Sequence, residues 1–120
     1  MIGSTLKQAL IEQMDEREGP VLSLYLDVHP SGMDGGMKAV ALRAAEAMRG
    51  AGLDPDYVGR VKARLTLDHG RPEGRSLVVF AGADREEAYD AYSLQARLPF
   101  LAATDGVLAH WGRPLVAPLL

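Results

Sequence analysis

The sequence predicts an α/β domain, on the border with α+β, built on a mixed sheet of about four strands with helices packed mainly on one face. Three observations carry that expectation. Residues 21–28 and 76–81 read as buried strands. The chain between them holds two helical patterns, over about residues 37–49 and 55–67. Two short stretches, 88–95 and 106–111, follow the second strand with strand-like alternation. Helices gathered between the first strand and the rest suit a sheet covered from one side.

Taken in order, Thr5 with Gln8 three residues later resembles a capping box. Leu6, Leu10 and Met14 then recur at helical spacing, which predicts a helix over 5–17, closed by Gly19-Pro20. In the first strand Leu22, Leu24, Leu26 and Val28 share one aliphatic face. Val21, Ser23, Tyr25 and Asp27 form a mixed face, expected to be less completely covered. His29-Pro30-Ser31-Gly32 closes the strand, and Gly32, Gly35 and Gly36 mark a loop.

The next helix is rich in alanine (Ala39, Ala41, Ala44, Ala45 and Ala47), which costs least in a helix and allows close approach to a sheet. Gly50 and Gly52 stop it. Asp54-Pro55 is an N-cap followed by proline at the first helical position. Tyr57, Val58, Val61 and Leu65 supply that helix's apolar stripe. Residues 76–81 form a continuous apolar run, the pattern of a central strand buried on both faces. Two tyrosines in a short span place residues 88–95 at a sheet edge, and Pro99 ends that stretch. The first two strands are joined through helices, so a parallel pairing is allowed there.

Length and composition bound the function. A chain of 120 residues makes one domain and buries roughly 65% of its unfolded surface. Apolar content of 48% and charged content of 24% are those of a globular protein. With no cysteine, thiolate catalysis, disulfides and zinc–thiolate sites are excluded. The first ten residues lack a signal-peptide core, and no stretch approaches the ~20 apolar residues of a membrane span, so a cytoplasmic location is expected. A net charge of −3 argues against strong autonomous nucleic-acid binding, though not against a local basic patch.

Five features bear on chemistry. The loop from Gly32 to Lys38 follows a strand and opens a helix, yet Met37 and Ala39 break the phosphate-binding pattern, so a mobile connector is the expectation. Asp27 and His29 sit at the C-terminal end of a strand, where open sheets bind ligands. They are candidate ligand-binding residues, but an aspartate bonded to its own turn is the simpler account, and no metal or cofactor is called for. Arg60, Lys62, Arg64, Arg71 and Arg75 make a basic run of five against Asp68 and Glu73, and they are the candidate contacts to RNA phosphate. An acidic stretch follows at once, with Asp84, Glu86, Glu87 and Asp90 against Arg85. Trp111 is expected in the core rather than as a base-stacking platform. No serine lies in a nucleophile elbow.

The ending Pro114-Leu115-Val116-Ala117-Pro118-Leu119-Leu120 is uncharged and carries two prolines. It reads as a linker, residues 113–120, into a following domain. Together with Pro20-Val21-Leu22-Ser23-Leu24-Tyr25-Leu26-Asp27, Gly74-Arg75-Ser76-Leu77-Val78-Val79-Phe80-Ala81, and Leu98-Pro99 with Arg113-Pro114-Leu115, it resembles the N-terminal domain of bacterial proteins related to archaeo-eukaryotic peptide-chain release factors and Pelota. The resemblance spans almost the whole chain in order and spacing.

That resemblance implies a modular parent whose middle domain would carry the Gly-Gly-Gln tripeptide that promotes peptidyl-tRNA hydrolysis. The tripeptide is not in this chain: Gly35-Gly36-Met37 only looks like it, and methionine cannot make the glutamine's polar contacts. The Asn-Ile-Lys-Ser codon-reading motif does not occur either. No catalytic residue is therefore carried over. The expectation is a non-catalytic, ribosome-associated module reaching rRNA or tRNA through the full-length protein. The alternatives are a protein-interaction or homodimerisation module, and a small enzyme or ligand-binding domain using the loop after the first strand.

Overall fold

The computed structural model describes residues 20–29, 36–70, 74–82, 89–96, 98–104, 106–113 and 115. The helix expected over 5–17, most of the glycine-rich loop and residues 116–120 lie outside the described residues. The elements run β1 (Val21–Asp27), α1 (Gly36–Gly50), α2 (Pro55–Asp68), β2 (Ser76–Gly82), β3 (Tyr89–Leu94), a 3₁₀ turn (Pro99–Thr104) and β4 (Val107–Gly112). Each matches the sequence expectation to within a residue or two at its ends, and the 3₁₀ turn is new.

The four strands form one sheet in the order β3-β2-β1-β4. The apolar run of β2 is interior and the tyrosine-bearing β3 is an edge, as their sequences predict. All three pairings are antiparallel. The sheet is thus not mixed in strand direction, and the parallel pairing allowed for β1 and β2 is not used. A chain that returns through two antiparallel helices re-enters the sheet without the single-helix crossover a parallel neighbour requires.

Both helices cover one face. Leu22, Leu24 and Leu26 of β1, Leu77 and Val79 of β2, and Val107 of β4 meet the buried side of α1 and α2. Ala41, Ala44 and Ala45 are fully buried, and the absence of bulk there brings α1 against β1, β4 and α2. The helix ends in a Schellman arrangement: Leu53 N–H bonds Met48 O at 3.2 Å and Gly52 N–H bonds Arg49 O at 3.0 Å. Gly52 has φ +88°, the left-handed conformation that this stop needs and that glycine adopts freely. The flanking Leu53 and Met48 are both buried, the apolar contact that accompanies the motif. Asp54 caps α2 by accepting from Asp56 N–H at 3.1 Å and Tyr57 N–H at 3.4 Å, ahead of Pro55.

The opposite face departs from expectation. Val21, Ser23, Tyr25 and Asp27 are all buried, at 1%, 0%, 0% and 4% exposure, although a mixed face was expected to be covered less completely. Among the described residues its cover is the connection from β3 to β4, together with Leu115. That connection starts beside Ser76 and ends beside Asp27, so it passes from one sheet edge to the other along one end of the sheet. Leu98 and Leu101 insert against Val21, Tyr25, Val78 and Phe80. Edge-to-face ring contacts bind this second core: Tyr25 with Phe80 at 6.4 Å, Tyr25 with Phe100 at 5.8 Å and Phe80 with Tyr92 at 6.3 Å.

Candidate functional site

Asp27 ends β1, and its main-chain N–H bonds Gly106 O at 2.8 Å. Its Oδ1 accepts the His29 N–H at 3.1 Å, closing an Asx turn. Asp27 is buried and His29 partly exposed. The carboxylate therefore shapes the strand exit. His110 lies opposite Ser23 in the β1–β4 register, four residues and about 13 Å back along the strand from Asp27. His69 closes α2, its N–H bonded to Leu65 O at 3.0 Å. Burial pushes the His69 pKa below the usual histidine value; the Asp68 carboxylate opposes this and the Arg64 charge adds to it. Among the described residues, no group of three His, Cys, Asp or Glu stands close enough to hold a metal ion.

The basic residues divide. At about 100° per residue, Arg60 and Arg64 fall on one flank of α2's buried stripe and Lys62 on the other. Arg64 Nε pairs with Asp68 Oδ2 at 3.2 Å, so its charge is locally balanced. The Arg60 guanidinium lies 5.9 Å from the centre of the Tyr57 ring. Arg75 is exposed just ahead of β2, with its main chain tied to Val28 and Leu94. Arg71 lies outside the described residues. The fold brings Arg60 and Arg64 together and separates Lys62 from them.

Trp111 is partly buried, with its ring 6.0 Å from that of Tyr57 and packed against the helix-side core. The Tyr57 hydroxyl donates to Gly82 O at 2.8 Å, which fixes the start of α2 to the end of β2. Burial pushes the Tyr57 phenol up to about 12, against a smaller lowering by Arg60. The aromatic pair thus builds a structural corner capped by a cation. Leu42 and Leu67 are the large apolar side chains exposed on the helices, at 48% and 85%, and single exposed leucines are ordinary.

The most specific polar arrangement lies where the sequence offered no motif. Among the described residues the buried polar side chains are Ser23, Asp27 and Ser76. Ser76 Oγ donates to Ala96 O at 2.9 Å and accepts Leu98 N–H at 3.1 Å. Ser23 Oγ accepts the Leu115 N–H at 2.9 Å, and the Tyr25 hydroxyl donates to Leu115 O. Burial raises the Tyr25 phenol's pKa above the usual tyrosine value. Part of the segment read as a linker is therefore docked on the sheet. The available signal was the alternation Val21, Ser23, Tyr25, Asp27: small polar groups placed between apolar ones on one strand face.

Among the described residues these features define a class by architecture, a four-stranded antiparallel sheet with two helices on one face and irregular chain on the other. No family model matches the chain, and no curated protein or solved structure matches it. No helix among the described residues is long and apolar enough to cross a membrane.

Proposed function

We propose that the chain is a non-catalytic module of a release-factor-like, ribosome-associated cytoplasmic protein, which positions its parent during translation termination or ribosome rescue. The reading rests on the resemblance of β1, β2 and the passage after β4 to that family's N-terminal domain. One observation supports a positioning role: Leu115, just past β4, is bonded through both main-chain groups to β1. A module whose exit chain is anchored transmits its own orientation to whatever follows. The Asx turn at Asp27 favours this over an enzyme.

Arg60 and Arg64 on one flank of α2, Lys62 on the other, Arg75 ahead of β2, and Arg71, outside the described residues, are the proposed contacts to RNA phosphate. Ribosome co-sedimentation across a salt series tests this. Reversing all five charges to glutamate is expected to weaken binding and flatten its salt dependence. Equal binding with an unchanged salt slope would sink the assignment of these residues. No co-sedimentation of the unaltered protein would sink the ribosomal reading itself.

A further inference from the structure

We propose that Ser23 and Tyr25 form a backbone latch, a device that holds Leu115, just past β4, against the second core and opens as a unit separate from the sheet. The two side chains lie on one face of β1, two residues or about 6.6 Å apart. Each meets a different main-chain group of the same residue: Ser23 Oγ takes the Leu115 N–H, and the Tyr25 hydroxyl gives its proton to Leu115 O. Two bonds to one residue fix both where the peptide lies and which way it runs, whereas one bond would leave it free to pivot. Recognition is of main chain, so it sets direction independently of the residue docked. The Leu115 side chain adds packing against the second core.

The latch holds for a definite reason. Both Ser23 and Tyr25 are fully buried, and a buried hydroxyl without a partner is costly. Leaving the strap open would strip each of the partner it has at Leu115. The latch is also separable for a definite reason. Among the described residues its hold is two neutral hydrogen bonds and one partly buried side chain, while β1 is paired along its length on both sides by β2 and β4. Segments with few contacts open below the free energy of global unfolding. The latch stands on the domain's own geometry, whatever the module docks on.

Amide hydrogen exchange of the whole 120-residue chain, read residue by residue by NMR at rising sub-denaturing urea, tests it. The Leu115 amide should be protected, with a shallower urea dependence than the β1 and β2 amides of Leu24 and Val79. Ser23→Ala should speed Leu115 exchange by about tenfold or more, because it removes the acceptor outright. Tyr25→Phe, which keeps the ring, should speed it by a smaller factor. An unprotected Leu115 amide in the unaltered chain would overturn the latch. So would a urea dependence as steep as that of Leu24, since the strap would then open only with the whole domain. Unchanged Leu115 exchange in both variants would overturn it equally. The two measurements on the unaltered chain decide the matter even where a variant fails to fold.

Discussion

On the helix side of the sheet Leu22, Leu24 and Leu26 face α1 and α2, and among the described residues the buried hydroxyl there is that of Tyr57, bonded to Gly82 O; on the strap side Ser23, Asp27 and Ser76 face a 3₁₀ turn, loops and the exit chain. The difference follows from what covers each face. Away from its ends, a helix satisfies its own N–H and C=O groups, so the strands beneath it can be wholly aliphatic. Irregular chain arrives with main-chain donors and acceptors unpaired, and burying them requires partners. The strand beneath must then offer hydroxyls and carboxylates. Ser76 serves Ala96 and Leu98, Asp27 serves His29, and Ser23 with Tyr25 serves Leu115.

The comparison is most exposed to failure at its apolar extreme. Leu24→Ala, fully buried on the helix side, is expected to cost about 3 kcal/mol through lost burial and the cavity left behind. Urea unfolding checks this, and a cost below about 1 kcal/mol would mean that the helices do not form the main core. Gly74→Ala follows, at about 2 kcal/mol, because a β-carbon there would stand 2.5 Å from the main-chain oxygen of Leu94. That strain falls where β3 hands over to the strap-side crossing, and a neutral substitution would show that the crossing is loosely placed.

Ser76→Ala should cost about 1 kcal/mol, by leaving the Leu98 N–H and Ala96 C=O buried without this partner. Ser93→Ala, an exposed serine on the neighbouring strand, is the control and should be close to neutral. Similar effects at the two serines would remove the special status claimed for strap-side hydroxyls.

The smallest expected effect is a pH dependence on the helix side. Burial holds the folded-state pKa of His69 below its unfolded value near 6.5. As pH falls, the unfolded chain takes up that proton first, so stability is retained above about 6.5 and declines as pH drops toward the folded value. Urea midpoints should fall between pH 7.5 and 5.5, and His69→Gln should lessen the fall. An identical pH profile in that variant would show that the C-cap of α2 is not the source.

Legibility in the sequence tracked this same division. The stripe of α2, its Asp54-Pro55 start, the glycine stop of α1 and the four strands could all be read, because each is set by residues a few positions apart. The edge place of β3 and the interior place of β2 were also readable, from tyrosines in one and unbroken apolar residues in the other. The Asp27 turn was foreseen for the same reason, its partner being two residues away. The latch was not. Ser23 and Leu115 are separated by 92 residues, and a serine between Val21 and Tyr25 on one face of a strand says only that the face is mixed. The full burial of that face was missed because the cover is a crossing with no periodic pattern. The division of Lys62 from Arg60 and Arg64 was readable in principle from helical spacing, yet a basic run counted by position hides it.

Local order thus came from the sequence by itself: which segments are helices or strands, where they are capped, and which face of each is apolar. Only the tertiary structure decided that the strands all pair antiparallel, that the second face has its own core, and that the chain beyond β4 is tied back to β1. The physical reason is reach. Propensity, capping and amphipathic period act over one or two turns of chain, whereas the partner of a buried hydroxyl is chosen by whichever distant main chain the packed fold lays across it.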